Sequence, residues 1–170
     1  MRQVRFSVAM SLDGYIAGPG GESDWIVMDP DIDFRALMGS FDVVLLGRKT
    51  YETTREQGGG GMSGMQAYVF SRTLRQADCP GAIVSENPVA TLAAIKAKPG
   101  KDIWLFGGGS LFRSLLDLGL VDKVELAVIP VLLGGGLPML PHPATQTKLK
   151  LVSHRIYEKT GTVWLEYALG

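Results

Sequence analysis

Six short apolar runs, at residues 4–10, 43–46, 67–70, 82–84, 103–106 and 124–130, alternate with stretches of helical character at 31–40, 49–56, 87–97 and 109–119. No other feature restricts the chain as much. Short runs dense in Val, Ile, Leu and Phe read as strands buried on both faces. A buried strand, a helix and another buried strand make a parallel crossover, so the expected class is α/β, with a mostly parallel central sheet between helical layers. Asn87 before Pro88 marks a helix start, a cap followed by proline at the first helical position. Toward the C-terminus the pattern changes. Residues 148–157 and 162–169 read as two long strands joined by Lys159, Thr160 and Gly161, a hairpin that gives the sheet an antiparallel finish. The segment 58–65 lacks apolar periodicity and is expected to be a mobile surface loop.

Composition excludes several classes of function. The 170 residues suffice for one core and are taken as one domain, residues 1–170. Basic and acidic residues number 17 each, so no net field draws the chain to nucleic acid or an acidic membrane. A small-molecule partner is expected instead. The single cysteine, Cys79, and the histidines His142 and His154 form no zinc-like spacing, and no apolar run is long enough to cross a bilayer. The expectation is a reduced, metal-free, cytoplasmic protein. Glycine reaches 22 residues, and rich stretches near 18, 58, 107 and 134 show no fixed period, so they mark turns or close approaches rather than repeats.

Two strand-to-helix junctions carry the chemical signal. In residues 42–52 a strand ends at Gly47 and passes into a helix that starts with Arg48, Lys49 and Thr50. Free N–H groups and the positive end of the helix dipole favour an anion there. A solvated basic turn capped by Thr50 would look the same locally. It is no P-loop, since Asp42 stands where that motif has glycine. The second junction places Gly107, Gly108 and Gly109 before Ser110 and Leu111, three glycines against which a diphosphate can lie. It departs from the Rossmann fingerprint at Phe112. A third strand end, Ser71 and Arg72, is either a polar turn or a phosphate contact, for which arginine's planar fork is suited.

In this order, SLDGYIAG (11–18), LLGRKTYE (45–52), VFSRT (69–73), FGGGSLF (106–112) and VIPVLLGGGLP (128–138) resemble the dihydrofolate-reductase superfamily. The match is closest to the reductase domain at the C-terminus of the bifunctional riboflavin deaminase-reductase, in stand-alone form, and spans essentially the whole chain. The resemblance implies a three-layer αβα dihydrofolate-reductase-like fold and NADPH as cofactor. It assigns the diphosphate to Gly47, Arg48, Lys49 and Thr50, and the adenosine 2′-phosphate to Ser71 and Arg72. Gly107 to Leu111 inherit the nicotinamide-diphosphate contact, with a cis bond in the first glycine pair. Ala9 and Ile16 face the nicotinamide, and Asp13 belongs to the turn between them. Asp31 matches the carboxylate that protonates substrate, with Asp29 and Asp33 as neighbours in contention, and Trp25 and Phe34 wall either the substrate pocket or the core.

The activity so implied is NADPH-dependent reduction of a pyrimidine or pteridine, with the 5-amino-6-(5-phosphoribosylamino)uracil reductase of riboflavin biosynthesis as named candidate. The alternatives are a dihydrofolate reductase and a nucleotide-binding protein without catalysis. Residues 124–133 and the following glycine loop are read either as core or, as in the family's riboflavin branch, as part of a homodimer surface.

Overall fold

The computed structural model describes residues 1–58, 62 and 64–170. In chain order the elements are β1 (Val4–Ser11), β2 (Tyr15–Ala17), α1 (Phe34–Gly39), β3 (Phe41–Gly47), α2 (Arg48–Glu56), β4 (Gln66–Phe70) and β5 (Ala82–Ser85). They continue as α3 (Pro88–Lys96), β6 (Asp102–Gly107), α4 (Gly109–Asp117), β7 (Lys123–Ile129), β8 (Leu137–Pro138), β9 (Leu149–Tyr157) and β10 (Thr162–Leu169). Eight strands form one sheet in the order β5-β4-β3-β6-β1-β7-β10-β9. Every pairing from β5 to β7 is parallel, and β10 and β9 close the sheet antiparallel, as the sequence predicts.

Side-chain alternation along the strands divides the core into two layers. Val43, Leu45, Ile103 and Leu105 point to one face and pack with Leu92 and Ile95 of α3 and Phe112 and Leu115 of α4. Phe6 stacks on Phe112 with ring centroids 3.9 Å apart. Val44, Leu46 and Trp104 point to the other face, where Tyr51 of α2 and Leu37 and Met38 of α1 cover them. Each fully buried side chain of this kind contributes about 1.5–3 kcal/mol, enough for the alternation to fix strand register. β7 lies inside the sheet, and Val124, Leu126 and Ile129 are core residues.

Several boundaries differ from expectation for local reasons. The helix expected from residue 31 begins at Phe34, because the Asp33 carboxylate accepts the Ala36 N–H at 2.8 Å and sets the cap there. The α4 helix opens at Gly109, as expected, but ends at Asp117 rather than 119, with Gly108 as its N-cap. The small ribbon of β2 and β8 has too few residues for an alternation to be read. Four residues of the expected loop at 58–65 lie outside the described residues, and Met62 is buried in the layer that contains Trp104.

The strand order makes β3 and β6 neighbours although they are far apart in sequence. From β3 the chain crosses through α2 to β4 on one side. From β6 it crosses through α4, over β1, to β7 on the other. The two crossovers leave this pair of strand ends in opposite directions, the arrangement that opens a crevice beyond the carboxyl ends of a parallel sheet.

Candidate active site

Both glycine junctions of the sequence meet at that crevice. Leu46 of β3 pairs with Gly107 of β6, and the Thr50 hydroxyl accepts the Gly108 N–H at 2.8 Å, tying the start of α2 to the start of α4. The Gly107-Gly108 bond is cis and Gly107 has φ +111°, a backbone that favours glycine. Asp33 and Asn87 cap α1 and α3 with their side chains, whereas the N-caps of α2 and α4 are Gly47 and Gly108, and no side chain of the described residues caps either helix. First-turn N–H groups are therefore left for an outside acceptor at both of these N-termini.

Two cavities flank the junction. One, of about 440 Å³, is lined by Ala9, Ile16, Phe34, Lys49, Thr50 and Gly108 among others. Another, of about 430 Å³, is lined by Gly47, Arg48, Ser71, Arg72, Ser110 and Leu111 among others. Consecutive residues Arg48 and Lys49 line different cavities, so the two lie on either side of the first turn of α2. Arg48 reaches Glu52 across one helical turn at 3.3 Å, while Arg72 makes no side-chain hydrogen bond or ion pair among the described residues. Ser71 Oγ accepts the N–H groups of Thr73 and Leu74 at 3.1 and 3.0 Å. The hydroxyl thus shapes the turn that presents Arg72.

Other sequence-predicted residues fall elsewhere. Gly109 lines neither cavity: a Cβ on it would stand 2.5 Å from the Pro138 carbonyl oxygen, so its smallness admits the 138–141 segment rather than a ligand. Asp31, expected as proton donor, is also outside both cavities, and its half-exposed carboxylate accepts a bond from Lys159 Nζ at 2.8 Å. The buried carboxylate of that turn is Asp29, which accepts the N–H of Asp31 and both the N–H and hydroxyl of Thr160. Burial pushes the Asp29 pKa up, but these hydrogen bonds, with Lys159 nearby, outweigh it and hold the carboxyl below its ordinary value. Asp29 thus pins the loop bearing Met28 and Ile32, which line the larger cavity, to the β9–β10 turn.

Trp25 stands apart from both cavities and donates its indole N–H to the Glu22 carbonyl at 3.0 Å. Asp13 is a turn residue: it accepts the Ser11 hydroxyl and the N–H groups of Leu133 and Gly134, and these bonds, Ser11's first, lower its pKa.

The larger cavity also contains residues that the sequence did not single out: Ser7, Thr53, Thr54, Gln57, Trp104, Phe106 and Trp164. The threonines and Gln57 carried a readable signal, since they follow Thr50 at helical spacing. No comparable signal brings Trp164 of β10 to the site, because only the sheet order does so. Among the described lining residues of this cavity none is a carboxylate, and the one cation is Lys49.

Residues 2–162 match the RibD C-terminal domain family. YyaP, an uncharacterized protein of Bacillus subtilis (strain 168), is 34% identical over 178 residues, covering 98% of this chain and 94% of its own. The riboflavin biosynthesis protein RibD of Corynebacterium ammoniagenes is 27% identical over 160 residues, 85% of this chain and 48% of that protein, so the chain corresponds to about half of it. The crystal structure of a candidate riboflavin biosynthesis protein from Shewanella sp. PV-4 superposes with a TM-score of 0.84 at 24% identity, covering 100% and 99% of the two chains. By the extent of that family match, the chain belongs to the RibD C-terminal domain family.

Proposed function

We propose that this protein is an NADPH-dependent reductase of a pyrimidine or pteridine small molecule, with a reaction of the type carried out by the reductase half of RibD. The observation that carries the proposal is a pair of cavities that flank two helix N-termini capped by no side chain of the described residues. NADPH has a ring at each end and a diphosphate between, and the residues present fit it. The α2 and α4 first turns, Arg48 and Lys49 suit the diphosphate. Arg72, beside the Ser71 turn, suits a phosphate on the adenosine ribose. Ala9 and Ile16 line the cavity that would take the nicotinamide and the substrate together.

When bound, the cofactor supplies a hydride. The chain would orient it: β1 and β2 present Ala9 and Ile16 to the cavity, which Trp104, Phe106 and Trp164 also line. The chemistry so supplied would be addition of hydride to the carbon and of a proton to the nitrogen of a C=N bond in the substrate. The cavity holds no carboxylate among its described lining residues, so on this reading the chain contributes placement and the proton for nitrogen would come from solvent.

The test is titration with NADPH and NADH, followed by quenching of the fluorescence of Trp104 and Trp164, both in the cavity wall. A charge-assisted phosphate contact is worth about 1.5–3 kcal/mol, so Arg72→Ala should weaken NADPH binding by about 10- to 100-fold and leave NADH unaffected. Failure of both nucleotides to bind would refute the proposal.

A further inference from the structure

The walls of the larger cavity differ in kind. Phe34, Trp104, Phe106 and Trp164 contribute aromatic rings to the lining, Trp104 with only 6% of its surface exposed, and such rings favour a flat ring against them. Facing this wall, α2 sets Thr50, Thr53, Thr54 and Gln57 at i, i+3, i+4 and i+7, one stripe of the helix and all in the cavity lining. Thr50 is engaged with Gly108, but the side chains of Thr53, Thr54 and Gln57 make no hydrogen bond among the described residues, and Thr54 is 8% exposed. Two hydroxyls and an amide, each able to donate and to accept, match a heterocycle edge that alternates C=O and N–H.

Charge is the second constraint. Lys49 is the one cation in this lining, and it sits at the first turn of α2 where the cofactor diphosphate is assigned. The four residues outside the description, Gly59, Gly60, Gly61 and Ser63, carry no charge by sequence. A phosphate or carboxylate withdrawn from water without a cation or a set of donors is strongly disfavoured. A charged tail on the ring, a ribose phosphate or a glutamate, meets no cation in this lining other than Lys49 and is left to solvent, where it adds little to affinity.

The geometry points to a substrate that is an uncharged flat heterocycle with amide-type edges, recognised by Thr53, Thr54 and Gln57 of α2 and without a phosphate subsite. This inference rests on the reductase reading. Calorimetric titration of the NADPH-loaded protein with lumazine, uridine and uridine 5′-monophosphate tests it. Lumazine is expected to bind, the phosphate is expected to tighten nucleoside binding by less than tenfold, and Thr53→Val combined with Gln57→Ala is expected to weaken lumazine binding tenfold or more. The NADPH dissociation constant of that double variant, expected within twofold of the unaltered protein, is the control for folding. Tenfold or greater tightening by the phosphate, an absence of lumazine binding, or a double variant that binds lumazine as before with NADPH retained would overturn the inference and leave the reductase reading standing. Failure of NADPH to bind the unaltered protein would overturn both.

Discussion

Replacement of Gly109 by alanine separates two uses of glycine in the 107–109 run. A Cβ at this position would lie 2.5 Å from the Pro138 carbonyl oxygen, 2.9 Å from that of Met139 and 3.0 Å from Pro141 Cδ. These partners are mainly backbone, so no side-chain rotation relieves the contact. The position is the first of α4 and its φ is not positive, so alanine itself is unstrained there and gains about 0.5–1 kcal/mol in helix propensity over glycine. Overpacking of this kind costs about 1–3 kcal/mol. With backbone oxygens at 2.5 and 2.9 Å the cost lies toward the upper end of that range, about 2–3 kcal/mol, so the clash wins and the net loss is about 1–2 kcal/mol.

At about 2–4 °C per kcal/mol for a chain of this size, the Tm should fall by about 2–8 °C in scanning calorimetry. Because Met139 N–H bonds to the Gly14 carbonyl and Leu137 lines the larger cavity, displacement of this segment should also weaken lumazine binding. An unchanged or raised Tm would refute the reasoning: helix propensity would then outweigh the contact, and residues 138–141 would not be held against α4.

Gly47→Ala is the converse case. Its Cβ would meet nothing closer than 3.7 Å, so the Tm should hold while the bulk added in the cavity weakens NADPH, read by fluorescence titration. Thr50→Val removes the acceptor of the Gly108 N–H and should cost about 1–2 kcal/mol, checked by urea denaturation. Asp29→Asn should destabilise most at neutral pH. The folded pKa of Asp29 lies below 3.8, so its contribution is fully present above the unfolded value and is lost as pH falls through the folded one. The Tm gap between the two proteins should therefore narrow below about pH 4, and a gap that widened on acidification would refute the assignment.

What was legible in the sequence was local. Val43 to Leu46 and Ile103 to Phe106 declare themselves as buried strands because both faces are covered, and each glycine junction couples a strand end to a helix start within a few residues. The role of Gly109 was not legible, since its neighbours come from the loop around Pro138. Nor could the sequence rank Asp29, Asp31 and Asp33. All three sit at one turn, but Asp29 is buried by Thr160, Asp31 is drawn outward by Lys159, and Asp33 is consumed as a helix cap. The partners that decide between the first two come from the β9–β10 turn, at the other end of the chain.

The position of the site follows from handedness. A right-handed crossover from β3 to β4 on one side puts α2 on one face of the sheet, and one from β6 to β7 on the other side puts α4 on the opposite face. Their N-termini therefore start side by side and diverge, and no side chain needs to build the gap between them. A Cβ at Gly47 would meet nothing closer than 3.7 Å, and the threonines and Gln57 that line the larger cavity belong to α2 rather than to the sheet. On the proposed reading, cofactor binding and ring selection fall on different parts of one helix, the first turn of α2 for the diphosphate and its later turns for the ring. Variants at Thr53 or Gln57 should thus shift substrate preference while the nucleotide dissociation constant stays fixed, a separation that competitive titration resolves directly.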